Sequence, residues 1–199
     1  MGLVKRALTL LAIGVLGACG TYSTMRPAPV LPPGHVELGA GLAANGIGEV
    51  NVVLDGHVGI LPRVEIGGHY EIYSGFVEAR VQLLEEQAQG VSLSVSAGGG
   101  FGTTLIDEVG EAFSEAQDPD PAFFTGLAVS RRFAWVEPYL AGRFAVLFGK
   151  GLVTAPVAGL ALHAGRHVIF VLEGGAAIHT REGASLGIGQ GALGLGLRF

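Results

Sequence analysis

The side chains best equipped for chemistry are one thiol near the front of the chain and a set of charged groups that share one parity within alternating segments. Cys19 is the only cysteine among 199 residues. It has no partner for an internal disulfide, and in an oxidising compartment it is a stray reactive thiol unless a modification consumes it. The charged set consists of the acids Glu37, Asp55, Glu65, Glu71, Glu78, Glu137 and Glu173 and the bases Arg63, Arg80, Arg132, Arg143 and Arg198, with Asn51, His57, His69, Gln82 and Gln190 among them. Acids and arginines so nearly balanced on one face are expected to pair, because a buried charge without a partner is costly. Nucleophilic catalysis is the competing chemistry, and His163, His167, Glu173, His179 and Ser185 supply the residue types for a triad. No local signature surrounds them, and a triad needs its members within hydrogen-bond reach. The expectation is therefore no enzymatic activity. The six histidines lack metal-ligand spacing, so neither a metal site nor a cofactor is expected.

The elements that must position these groups show a period of two. Val64, Ile66, Tyr70 and Ile72 alternate with Arg63, Glu65, His69 and Glu71; Val77, Ala79, Val81 and Leu83 alternate with Glu78, Arg80 and Gln82. Such alternation puts one set of side chains on each face of a strand. Strands are predicted over 36–45, 48–59, 63–73, 76–86, 90–102, 121–132, 135–148, 152–163, 167–179 and 185–199, with eight strands as the alternative if 152–163 drops out. Each is long enough to cross ~25–30 Å of hydrocarbon when tilted. Turn residues such as Asn45-Gly46, Gln89-Gly90 and Gly165-Arg166 separate them. Residues 103–120 form the longest connection, with a short helix expected around Leu105 to Glu115.

Composition points the same way. Mean hydropathy is +0.51, charged residues make up 15%, and there are 34 glycines. A soluble domain usually carries about 25% charge. After residue 20 no stretch approaches ~20 uninterrupted apolar residues. High hydrophobicity without a long apolar run is what a transmembrane barrel produces, since only alternate residues meet lipid. The net charge of −5 argues against nucleic acid as a partner. Gly98-Gly99-Gly100 lies among strands with no GKS or GKT after it, which favours close packing over phosphate binding.

The front of the chain has a basic start at Lys5 and Arg6, then an apolar stretch from Ala7 to Gly17. It ends in Leu16-Gly17-Ala18-Cys19, which resembles the lipobox of bacterial lipoprotein signal peptides. That resemblance implies cleavage after Ala18 and a lipid on Cys19. Residues 1–18 are thus expected to be a signal peptide, and 19–34 a lipidated cysteine with a proline-rich, extended tether. The ending, with Gly194, Leu195, Leu197 and Phe199, resembles the C-terminal barrel-assembly signal of bacterial outer-membrane proteins. Ala192 departs from it where a polar residue is usual. Together these features resemble the bacterial outer-membrane β-barrel superfamily over residues 35–199.

The fold expected is an all-β, antiparallel up-and-down transmembrane barrel of about ten strands, with the charged parity filling a narrow lumen. The function expected is that of a lipid-anchored outer-membrane protein with a structural or surface-interaction role. Its partners would be outer-membrane lipid and the barrel-assembly and lipoprotein-processing machineries. Three alternatives stay open: a small channel or transport accessory, an outer-membrane lipid hydrolase, and a soluble periplasmic lipocalin-like lipoprotein that holds an apolar ligand.

Overall fold

Alternation of apolar and polar residues carries the chain into ten antiparallel strands. A computed structural model describes residues 25–46, 50–71, 74–102, 120–148, 151–181 and 184–199. The strands are β1 (Val36–Asn45), β2 (Val50–Leu61), β3 (Val64–Glu71), β4 (Ser74–Leu84), β5 (Ser92–Gly102), β6 (Asp120–Ser130), β7 (Val136–Leu147), β8 (Gly151–Ala164), β9 (Val168–Arg181) and β10 (Ala184–Arg198), with one turn of helix, α1 (Glu86–Gln89), between β4 and β5. Each strand pairs with its sequence neighbours and β1 closes on β10, which makes a complete barrel. Among the described residues every strand has a paired strand on both sides, so none is an edge strand. The weakest strand expectation, 152–163, is a full member of the wall, so the count is ten rather than eight. Cys19, the signal-peptide segment and the helix expected near 105–115 lie outside the described residues.

The barrel is apolar outside. Leu38, Leu54, Val77, Leu140, Leu172 and Leu193 are each between 49% and 62% exposed, whereas Glu65, Glu71, Glu78 and Glu137 are at most 3% exposed. This reverses the soluble-protein pattern, in which carboxylates face water. The lipocalin-like alternative required apolar faces inside, and the observed parity excludes it.

A narrow barrel has little room at its axis, and cross-strand pairing answers that with glycine. Asp55 faces Gly39, His57 faces Gly67, Glu78 faces Gly98, Phe76 faces Gly100 and Tyr139 faces Gly159. In each pair a Cβ built on the glycine would overlap its partner residue. The glycine lets the larger side chain lie flat against the neighbouring strand. On β6 to β9 the inward positions are mostly small, including Ala122, Ala128, Ala141, Ala145, Ala155, Ala161 and Ala177.

The proline-rich stretch is not the free-standing tether its composition suggested. Over its described part, residues 25–34, it enters the lumen from the rim where β1 begins and β10 ends, here termed the proximal rim. Met25, Arg26, Ala28 and Leu31 are at most 6% exposed. Proline makes this burial inexpensive, because Pro27, Pro29, Pro32 and Pro33 have no N–H to satisfy. Four of the remaining donors find side-chain partners on the wall. Met25 N–H donates to Glu173 (2.8 Å), Ala28 N–H to Ser130 Oγ (3.2 Å), Val30 N–H to Gln82 Oε1 (3.4 Å) and Leu31 N–H to Glu65 (2.8 Å).

Candidate functional site

The feature with the most chemistry is the filled lumen. Acids and arginines alternate through it in a continuous chain that starts at the proximal rim. Arg198 on β10 contacts Glu37 on β1, and Glu37 lies 3.8 Å from Arg26. Arg26 Nη2 is 3.2 Å from Glu65 on β3. Arg80 on β4 stands 3.7 Å from Glu65 and 3.6 Å from Glu78, and Arg143 on β7 is 3.7 Å from Glu78. Arg80 Nη1 also donates to the carbonyl of Pro27 (3.1 Å). His57 sits beside the chain, 3.7 Å from both Asp55 and Glu65. Alternating signs at these spacings let each charge offset the desolvation of the next.

Two further carboxylates anchor the N-terminal segment, Glu173 directly and Glu137 through Ser130, which accepts from Ala28 N–H. Glu173 accepts from Tyr139 Oη (2.7 Å) as well as from Met25 N–H. Glu137 accepts from Ser130 Oγ (2.7 Å), and its other oxygen lies 2.8 Å from His163 Nε2. Here the carboxylate stands between serine and histidine, so the imidazole has no path to the hydroxyl proton, and the set is not a nucleophilic triad. The distal half is closed differently. Phe76 stacks on His69 with centroids 4.8 Å apart, meets Phe124 at 4.6 Å, and carries the Arg143 guanidinium 4.2 Å above its ring. His69 Nε2 is 2.8 Å from Glu71.

Of the charged residues singled out in the sequence, Glu37, Asp55, Glu65, Glu71, Glu78, Arg80, Glu137, Arg143 and Glu173 all point into the barrel, and Arg198 lies at its mouth. Arg63 and Arg132 do not. Arg63 is exposed in the β2–β3 turn, where φ is 69°, and pairs with Glu85 at 2.6 Å. Arg132 lies past the end of β6 and donates to the carbonyl of Ala134 (2.9 Å). Alternation predicts sidedness only inside a strand, and both residues stand just beyond one. Nothing periodic marks the segment of Arg26, the central base, so its role leaves no signal in the sequence. Tyr139 had a usable signal, since it shares parity with Glu137 and Arg143.

The proposed triad residues are not brought together. His163 and exposed His167 are at the proximal end, His179 and Ser185 are near the distal end, and Glu173 lies between. Among the described residues no group of three His, Cys, Asp or Glu side chains is placed to hold a metal ion. Two cavities inside the barrel measure about 10 Å³ each, room for one water at most. A cleft of about 500 Å³ opens at the proximal rim, lined by Pro29, Gln82, Glu85, Arg132, Glu137 and His163 among others.

Fold and lumen together define a closed ten-stranded antiparallel barrel with an apolar exterior and a charged, self-filled interior. No protein-family profile matches the chain, and no curated protein matches it. Among solved structures it is similar to Neisserial surface protein A (NspA), at 11% identity and a TM-score of 0.33, covering 82% of this chain and 93% of that one. It is also similar to Ail, the attachment invasion locus protein of Yersinia pestis, at 12% identity and a TM-score of 0.24, covering 83% and 95%.

Proposed function

We propose that this protein is a lipid-anchored bacterial outer-membrane barrel that acts as a structural or surface-interaction element, neither a pore nor an enzyme. The observation that carries the reading is the apolar belt wrapped around a buried chain of alternating charges. In water that belt would cost roughly 1.5–3 kcal/mol for each large side chain left unburied. In a bilayer it is solvated, and closure of the sheet satisfies the wall's backbone hydrogen bonds internally. The lipobox-like Leu16-Gly17-Ala18-Cys19 supports an anchor on Cys19. The ending at Phe199, with Leu195 and Leu197 facing outward at 41% exposure each, supports handling by the barrel-assembly machinery. The filled lumen speaks against a channel, and the separated histidines speak against a hydrolase.

The test is heat modifiability in the detergent-extracted outer-membrane fraction, with boiled and unboiled samples compared by gel migration. A shift in that fraction, together with metabolic labelling of Cys19 by fatty acid, is the expected result. Release of an unshifted protein into the soluble fraction would overturn the reading.

A further inference from the structure

We infer that one arc of the proximal rim binds the headgroups of anionic phospholipid. The inference rests on the outer-membrane reading above and adds a lipid class and a site to it. The arc is built by three neighbouring pieces of chain: the β6–β7 hairpin at 131–136, the β8–β9 turn at 164–168, and Phe199 after β10. The hairpin is tight, with Phe133 N–H donating to Val136 O (2.7 Å) and Val136 N–H to Phe133 O (3.0 Å). The Trp135 carbonyl accepts from His163 N–H (2.7 Å), which ties the hairpin to the end of β8.

Its side chains are basic and aromatic. The Arg131 guanidinium lies 5.1 Å from the centroid of Phe133. Phe133, Trp135 and Phe199 are 54%, 62% and 68% exposed, and Arg131, Arg132, Arg166 and His167 are exposed as well. The pieces at 131–136, 164–168 and 199 contain no Asp or Glu side chain. Two acids of the β4–β5 connection reach it and are engaged, Glu85 by Arg63 and Glu86 by the Arg132 N–H (3.0 Å), and Glu137, next after the hairpin, is buried and accepts from Ser130 Oγ.

Aromatic side chains settle at the membrane–water boundary because one end is apolar and the other tolerates water. An arginine stacked on such a ring keeps its planar fork available, and that fork matches a phosphate oxygen pair. Three arginines on an arc with no Asp or Glu of its own, beside exposed rings, therefore complement a negatively charged phosphodiester headgroup seated at the boundary. A zwitterionic headgroup brings its own ammonium into the arginines and is disfavoured.

Trp135 is the only tryptophan and sits in the hairpin tip, so its fluorescence reports on this arc alone. The full chain is reconstituted in vesicles of phosphatidylcholine. Brominated phosphatidylglycerol or brominated phosphatidylcholine, labelled at the same acyl carbons, is then titrated in. The expected relative association constant favours phosphatidylglycerol by roughly fivefold or more, the scale of one basic side chain at an anionic surface. It should fall toward unity in the Arg131→Gln/Arg166→Gln double variant and in high salt. Both substitutions are at exposed positions, and the heat-shift assay verifies that the variant is folded. Equal quenching by the two lipids in the parent protein would overturn the inference and leave the membrane reading standing. Quenching by neither would overturn both.

Discussion

Replacing Arg26 with methionine tests whether the alternating charges act as one system. Methionine approximates the length of the arginine stem and removes only the charged fork, so packing against Glu37 and Glu65 changes little. Arg26 is 2% exposed and Glu65 is 0% exposed. Without the 3.2 Å contact from Arg26, Glu65 keeps the Leu31 N–H at 2.8 Å and Arg80 at 3.7 Å. Glu37 keeps Arg198. Removing one member of a buried pair costs about 3–5 kcal/mol, because the other is left buried with too little compensation. At 1.36 kcal/mol per decade, that is roughly two to four decades in the unfolding equilibrium. The measurement is a urea titration of protein folded in lipid vesicles, with the folded fraction read from unboiled gel migration. Adding Glu65→Gln should return about half of the loss or more, since the amide oxygen still accepts from Leu31 while the orphan charge is gone. A loss below about 1 kcal/mol for Arg26→Met would refute the reasoning. So would strict additivity of the two substitutions, because groups in one network couple.

Other outcomes follow from the same geometry. Gly98→Ala would drive a Cβ into the Val77 carbonyl and the Glu78 Cα, whereas a Cβ on outward Gly142 meets nothing within 4 Å. The first should cost about 1–3 kcal/mol and the second should change vesicle-urea midpoints little. Planar-bilayer recordings of the parent should show no steady conductance, and deletion of residues 25–33 should widen the proximal vestibule without opening a pore. Phe76, Phe124 and Leu147 still close the distal half, so stable current steps from that deletion would sink the two-part closure. Phe199→Ala should lower the amount of heat-shifting protein in the outer-membrane fraction while leaving the stability of refolded protein nearly unchanged. An unchanged amount would remove the assembly role given to the ending.

How much of this was legible follows from where period two survives. On β2 to β4 the inward face carries Asp55, His57, Glu65, Glu71, Glu78 and Arg80 against Leu54, Ile66 and Val77 outside, so both strand and sidedness stand out. On β8 the inward Val153, Ala155, Val157 and Ala161 are as apolar as the outward Leu152 and Pro156. The alternation there is one of size, not polarity, because large groups from the opposite wall already fill the lumen. The pattern therefore marks the strand but blurs its face. Arg63 and Arg132 fall outside the lumen because a turn resets the parity that a strand maintains. The lumen course of residues 25–34 left no periodic trace. Its four prolines read as a spacer, and nothing local shows that Arg26 meets carboxylates on β1 and β3.

That same segment constrains the order of events in folding. Met25 N–H bonds to Glu173, 148 residues further along the chain, and its neighbours bond to residues of β3, β4 and β6. Ser130 on β6 and Glu173 on β9 are in place only once most of the wall has formed, and contacts this distant in sequence come at the end of the search. Residues that precede every strand of the wall are therefore among the last to settle. Their withdrawal is the natural first step of unfolding, which makes the front of the chain a latch on a barrel already closed.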